Sequence, residues 1–149
     1  MTELIATVVI TAGSILLFGY WFRYTCLLIL SAQTSRDYAA SVASANQLGF
    51  PEVQAILREN HPDLERLKNL LDRDYKVLTY LLKHGANPAT GEDAVEKRML
   101  EIDYRLMGAW YSISRRFSSS AAARALDEMS QVVAHFANTM GERALAGAA

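Results

Sequence analysis

The stretch "LLFGYWFRYTCLLIL" (residues 16–30) decides the fold of this chain, because one arginine interrupts its most apolar part. Arg23 either is buried within a membrane or marks the point where a membrane-spanning helix ends. No charged residue lies between Leu4 and Phe22, and as a helix this stretch is about 28 Å long, close to the ~30 Å hydrocarbon core of a bilayer. An arginine at the bilayer centre costs at least about 2.5–3.5 kcal/mol, so we place the membrane boundary at Arg23.

Aromatic residues on both sides of Arg23 support this boundary. Tyr and Trp are enriched where a membrane meets water, and an arginine among them can be anchored at the headgroups. We therefore predict a transmembrane anchor with an aromatic belt over residues 1–24. The predicted membrane-interface residues are Tyr20, Trp21, Phe22, Arg23 and Tyr24.

Cleavage of the segment as a signal peptide is the alternative. A signal peptide has a basic start and an apolar stretch of about 7–15 residues. This chain starts "MTE", its apolar stretch is longer, and "LSA" at 30–32 is a weak match to a cleavage site. We expect the segment to be retained as an anchor.

The charges beside the segment predict its orientation. Arg23 and Arg36 come after it, whereas no Lys or Arg precedes it. The positive-inside rule then puts the N-terminus outside and the remainder in the cytoplasm of a bacterial-type inner (plasma) membrane. The single cysteine, Cys26, cannot form an internal disulfide, which agrees with a reducing compartment.

Composition limits the size and the partners of the part of the chain beyond the anchor. The chain has 149 residues, of which 51% are hydrophobic, and a formal net charge of −1. This length allows one domain plus a short anchor. The near-zero charge argues against a nucleic-acid partner, because binding phosphates requires a basic face.

After the anchor we predict only helices, since no sustained period-two alternation indicates a strand. Residues 25–50 are expected to form a membrane-proximal helix ending at Gly49. That helix either continues the membrane span to Leu48 or begins anew after a cap at Ser35. Residues 51–143 are expected to form a helical bundle domain, and residues 144–149 a frayed tail after a helix end near Gly141.

Three long stretches of the bundle domain carry apolar residues at alternating steps of four and three. Short connections between them predict antiparallel neighbours. The predicted fold is therefore all-α: a single N-terminal transmembrane helix, then a cytoplasmic up-down bundle of three long helices with shorter flanking helices. The predicted core positions are Leu64, Leu67, Leu71, Tyr75, Leu78 and Leu82; then Val95, Met99, Ile102, Leu106, Trp110 or Ala109, Ile113 and Phe117; and finally Ala122, Leu126, Met129, Val133, Phe136 and Met140.

The sequence carries no pattern typical of catalysis. His61, His84 and His135 lack the spacing of helical metal ligands, and there is no Cys-x-x-Cys or Gly-rich phosphate loop. Carboxylates such as Asp72 and Glu101 lie near basic residues, which predicts exposed ion pairs. We therefore expect no catalytic residue, metal, cofactor or small-molecule substrate.

The patch "WYSISRRFSSS" (110–120) is the most distinctive part of the predicted domain. We interpret Arg115 and Arg116 as cations at a solvated helix end, where they complement the helix dipole. Contact with anionic lipid headgroups or with an acidic partner is the alternative.

These features predict a non-enzymatic membrane protein that acts through protein–protein contacts. We expect an accessory or assembly subunit of a larger inner-membrane complex, or a scaffold, bound to the bilayer and to other membrane subunits or further copies of itself. The alternative is a membrane-tethered regulator or adaptor that passes a signal to a cytoplasmic partner. The partner-contact candidates are Leu27, Leu28, Ile29, Leu30, Gly13 and Gly19.

Overall fold

The computed structural model describes residues 1–32, 38–59, 62–85 and 91–148. In these ranges the structure consists of six α-helices and contains no strand, which confirms the all-α prediction. Two compact units are present, Met1–Ala32 and Gln33–Ala149. The helices are α1 (Thr2–Ser31), α2 (Ala39–Asn46), α3 (Phe50–Ile56), α4 (Leu64–His84), α5 (Glu92–Ser114) and α6 (Ser119–Ala148).

Helix α1 forms the first unit and is continuous through Arg23. Its 30 residues give a length of about 45 Å. The helix is long and apolar enough to cross a membrane: its most apolar window has a mean hydropathy of 1.9, and none of that window is buried. The helix ends at Ser31, and Ala32 has extended backbone, so the span does not continue unbroken to Leu48.

The region predicted as one membrane-proximal helix over residues 25–50 contains the end of α1 and all of α2. The predicted cap at Ser35 lies outside the described residues. Helix α2 ends with Gln47 in the left-handed conformation (φ 55°), the role that the sequence assigned to Gly49. Gly49 instead precedes α3 with φ −100° and acts as its N-cap residue.

Asp74 of α4 determines where α3 begins. Its side chain is fully buried, and its Oδ2 accepts hydrogen bonds from the backbone N–H groups of Gly49 and Phe50, both at 2.7 Å. The first N–H groups of a helix have no partner within the helix, so a carboxylate that accepts them stabilises the start of α3. Arg73, beside it, donates to Asp74 Oδ1 at 3.2 Å and to the Gln47 carbonyl at 3.2 Å.

Helix α4 has the predicted single apolar face. Its N-cap is Asp63, whose Oδ1 accepts from the Arg66 N–H at 3.3 Å. The sequence predicts the start of this helix near Asn60 or His61, and both residues lie outside the described ranges. Four leucines of the predicted stripe are buried, and Leu64 and Tyr75 are half-buried. The buried leucines are Leu67, Leu71, Leu78 and Leu82.

Helix α6 is the centre of the second unit, because α2, α3, α4 and α5 all pack against it. Its buried residues cover roughly 240° of the helix circumference at ~100° per residue. Many of them are small, which lets neighbouring helices approach closely. The buried residues of α6 include Ala122, Ala125, Leu126, Met129, Ser130, Val132, Val133, Phe136, Ala137 and Asn138.

The prediction that this helix stops near Gly141 is wrong, because α6 continues to Ala148. Gly141 is a packing position. A Cβ atom built there would lie 2.3 Å from Tyr38 Cβ, and the Tyr38 N–H donates to Asn138 Oδ1 at 2.7 Å. The glycine therefore allows the segment that leads into α2 to lie directly on α6.

We predict that Gly141→Ala destabilises the protein by about 1–3 kcal/mol, since the added methyl group forces Tyr38 away from α6. Gly108→Ala is the matched control, because a Cβ there meets its nearest atoms, on Lys68 and Met129, at 3.8 Å. Replacing a helical glycine without a clash should increase stability by up to about 1 kcal/mol. Urea unfolding of the detergent-solubilised chain, followed by circular dichroism, measures both effects; equal effects would contradict the packing role of Gly141.

We also predict that Asp74→Ala lowers the free energy of unfolding by about 2–4 kcal/mol, because two buried N–H groups lose their acceptor. Arg73→Ala should have a smaller effect, on the order of 1 kcal/mol, since the two N–H donors to Asp74 remain. The same unfolding measurement tests this order. If Arg73→Ala were the more damaging change, the ion pair and not the helix cap would be the main contribution.

Candidate interaction surface

Helix α5 has two apolar faces, and among the described residues only one of them packs against the other helices of its unit. The buried face contains Leu100, Tyr104 and Tyr111, with Met107 half-buried between them. These residues succeed one another at steps of four, three and four, the spacing of a single helix face. They lie on the side of α5 that meets α6, where Gly108 also lies close to Met129.

Most of the α5 positions predicted to be core are exposed, so that prediction is wrong; Met99 is half-buried. On a helical wheel the predicted positions centre roughly 150° from the buried face, at ~100° per residue. We define the outer seam as Val95, Met99, Ile102, Leu106, Ala109 and Ile113, with Trp110 and Phe117 along one edge. The exposed fractions of its large side chains are 60% for Val95, 40% for Ile102, 46% for Leu106, 44% for Trp110, 55% for Ile113 and 67% for Phe117.

The two edges of the outer seam differ in chemistry. Trp110 and Phe117 form one edge, with their ring centroids 6.1 Å apart in an edge-to-face arrangement. On the opposite edge are Arg98 and Arg105, about 60–80° from the seam centre on the helical wheel and both exposed. The surface is therefore an apolar stripe with an aromatic edge and a basic edge.

A polar network holds α5 against α4 beneath this surface. The Tyr104 hydroxyl donates to Asp72 Oδ1 at 2.8 Å, and Lys68 Nζ donates to Asp72 Oδ2 at 2.6 Å. The rings of Tyr75 and Tyr104 are stacked, with centroids 3.9 Å apart and planes 2° from parallel. These contacts join the two helices through long side chains, so the buried face of α5 is fixed.

The ion pairs of α4 and α5 differ in part from the sequence-based expectation. Asp72 pairs with Lys68, and Glu101 Oε1 accepts from Lys97 Nζ at 2.7 Å. Asp74, two residues after Asp72, is instead fully buried. The sequence reveals which residues carry charge, but several helical neighbours are possible for each one, and the tertiary packing selects between them.

Both tyrosines of the network stay protonated at neutral pH. Burial raises the pKa of Tyr104, and its hydrogen bond to Asp72 raises it further. Burial also raises the pKa of Tyr75, with a smaller contribution from Glu101, while the nearby Arg105 guanidinium, which hydrogen-bonds to Tyr75, lowers it. The two phenols therefore act as fixed hydrogen-bonding groups of the packing.

The histidines occupy separate places. His84 is exposed at the end of α4, with its Nδ1 2.9 Å from the Tyr80 carbonyl oxygen, and His61 lies outside the described residues. His135 is half-buried on α6, next to Phe136. Among the described residues, no three His, Cys, Asp or Glu side chains come together as metal ligands would.

The predicted interface residues all lie on α1, within one unbroken helix. Tyr20 and Tyr24, one turn apart, have nearly parallel rings with centroids 6.3 Å apart, and Trp21 lies 6.0 Å from Phe18. The rings of Tyr20, Trp21 and Tyr24 are mostly exposed, whereas Phe22 and Arg23 are half-buried. This distribution of aromatic residues around the helix is compatible with an interfacial belt.

The partner-contact candidates of α1 do not form one surface. Nothing lies within 4 Å of a Cβ built at Gly13 or Gly19, so both positions are open. They are six residues apart, however, and therefore about 120° apart around the helix. Leu27 and Leu28 are about half exposed, while Ile29 and Leu30 are half-buried, and four consecutive residues necessarily point in different directions.

The outer seam is a larger continuous surface than the candidates on α1. The sequence predicts an apolar stripe on α5, but it does not show which of two stripes faces outward. The 4-3 spacing of the seam residues is visible in the sequence, but Leu100, Tyr104, Met107 and Tyr111 share the same spacing. The described helices thus define an all-α protein with one candidate membrane span and an outward apolar seam on α5. Comparison with known proteins finds no matching family model, no matching curated protein and no matching solved structure.

We predict that acid destabilises the second unit through His135. Burial lowers the pKa of His135 below its ordinary 6.5, so the unfolded chain takes up the proton first. The resulting stability is fully present above pH ~6.5 and decreases as the pH falls through the lower folded-state value. Urea unfolding at several pH values between 7.5 and 5 should show a steeper loss for the wild type than for His135→Gln. Identical slopes would mean that His135 is not the group that responds.

Proposed function

We propose that this chain is a non-enzymatic membrane-anchored protein that acts through protein–protein contacts, as an accessory or assembly subunit of a larger membrane complex. The observation that carries the proposal is the outer seam of α5. Its six large apolar side chains are between 40% and 67% exposed, five of them along α5 and Phe117 in the turn that follows, next to Trp110. Contiguous apolar patches of this kind on a folded unit mark sites of interaction, whereas single exposed apolar residues do not.

The position of the outer seam supports a stable contact in preference to an occasional one. The opposite face of α5 is held by α6 and by the Tyr104–Asp72 hydrogen bond, so the helix does not have to rearrange to present its seam. A rigid surface loses little conformational freedom on binding, which increases affinity. Aromatic residues such as Trp110 are also enriched among the residues that dominate binding energy.

Helix α1 supports the membrane half of the proposal. The helix is apolar and unburied over a length that matches a bilayer, and its aromatic residues lie at the end of the apolar stretch. We propose the orientation given by Arg23 and Arg36: N-terminus outside, second unit in the cytoplasm of a bacterial-type inner membrane, folded as an up-down bundle. An anchor of this kind confines binding to partners in or at the same membrane.

Leu106→Asp should remove the partner from the complex, because a carboxylate in the middle of the outer seam would be buried on binding. The matched control is Leu145→Asp on α6, since Leu145 is 50% exposed and Leu106 46%, but only Leu106 lies in the seam. Purification in mild detergent from the cells that make the protein gives the measurement, namely the proteins that remain bound to each variant.

We expect at least about a tenfold loss of bound partner for Leu106→Asp and no loss for Leu145→Asp, with unchanged circular dichroism for both. A wild-type chain that purifies as a lone monomer, or a partner that both variants retain equally, would count against the proposal.

A further inference from the structure

The basic edge of the outer seam identifies the chemistry of the partner that binds there. Arg98 and Arg105 lie seven residues apart along one side of the seam. Each also has a contact within its own unit: Arg98 Nη1 lies 3.5 Å from Glu101 Oε2, and Arg105 hydrogen-bonds to Tyr75. Pre-positioned guanidinium groups beside an apolar seam favour carboxylates in the equivalent position of a partner, because Arg and carboxylate form directed ion pairs.

A second copy of α5 does not supply these carboxylates. In an antiparallel pair of helices, equivalent edges face each other, so the arginine edge of one copy would meet the arginine edge of the other. In a parallel pair, an edge residue meets one about five positions further along in the other copy. For Arg98 that residue is Asp103, which is fully buried, and for Arg105 it is Trp110.

An anionic bilayer surface also fits less well. The N-terminal end of the seam carries Glu92 and Glu96 next to Val95, and all three are exposed. Lipid headgroups of negative charge would repel this end of the helix. In addition, the seam repeats every 3.5 residues on average, which is the spacing of contact between two helices that coil around each other.

We infer that the outer seam binds a helix of another membrane subunit whose apolar stripe is edged by Asp or Glu residues, which pair with Arg98 and Arg105. This inference rests on the proposed function and specifies the partner. Ion pairs at the edge of a buried apolar contact contribute more to the choice of partner and to the rate of association than to affinity alone. The arginine edge therefore selects one acidic helix from other apolar helices.

Two cross-linking reactions on the full chain in native membranes test the inference. In the first, Ile113 is replaced by a benzophenone-bearing residue, which reports whatever covers the outer seam, independent of charge. In the second, Arg98 is replaced by Lys and the membranes are treated with a carbodiimide, which joins an amine to a carboxylate in direct contact. Arg105 is left unchanged because it also hydrogen-bonds to Tyr75. Arg58→Lys is the matched control, since Arg58 is likewise exposed but does not belong to α5.

The expected result is that the lysine introduced at position 98 becomes linked to an Asp or Glu residue on one helix of the protein that is captured at position 113. The yield should exceed that of the control variant by about tenfold, and Arg98→Glu should reduce capture at position 113.

Three results would overturn the inference, and each of them identifies a different contact at the outer seam. Capture of a foreign protein at position 113 without any carboxylate link would mean that the seam binds a partner by its apolar residues alone. Capture of a second copy of this chain would identify self-association, and capture of lipid would identify a membrane contact. If position 113 captured nothing, the proposed function itself would fail.

Discussion

The burial of α6 on roughly two thirds of its circumference is the constraint on which the second unit depends. A helix that is apolar and small-residue-rich on so many sides cannot be covered by one neighbour, so α2, α3, α4 and α5 all pack against it. Each of these helices then packs one face against α6. For α4, which has a single apolar face, that is sufficient. For α5, which has two, the second face is left outside, and the outer seam results directly from the central position of α6.

The tertiary contacts that fix the shorter helices are polar and come from far away in sequence. Asp74 caps α3 from α4, and Asn138 of α6 accepts the Tyr38 N–H just before α2. Each interaction satisfies a backbone N–H group that its own helix cannot satisfy. Helices as short as α2 and α3 are marginal alone, so their positions are determined by these acceptors more than by their own residues.

The sequence is sufficient to predict most helices and insufficient wherever a residue has two possible roles. The single stripe of α4 is predicted almost completely, because its leucines leave no second choice of face. For α5 two 4-3 stripes exist, and the more aliphatic one is predicted as core, although tyrosines such as Tyr104, whose hydroxyl donates to Asp72, are equally able to pack. Gly141 is predicted as a helix end for the same reason: a glycine ends a helix or admits a close neighbour, and only the position of Tyr38 distinguishes the two.

The two uncovered apolar surfaces of the chain differ in kind, and the difference indicates what covers each. On α1 the apolar side chains are exposed on every side over most of the helix, as in a helix surrounded by lipid. On α5 they form a single stripe whose two edges differ, one aromatic and one basic. Lipid has no reason to distinguish one side of a stripe from the other, whereas a partner helix in a fixed orientation has two different sides. The asymmetry of the outer seam therefore favours a protein partner with a defined direction of approach.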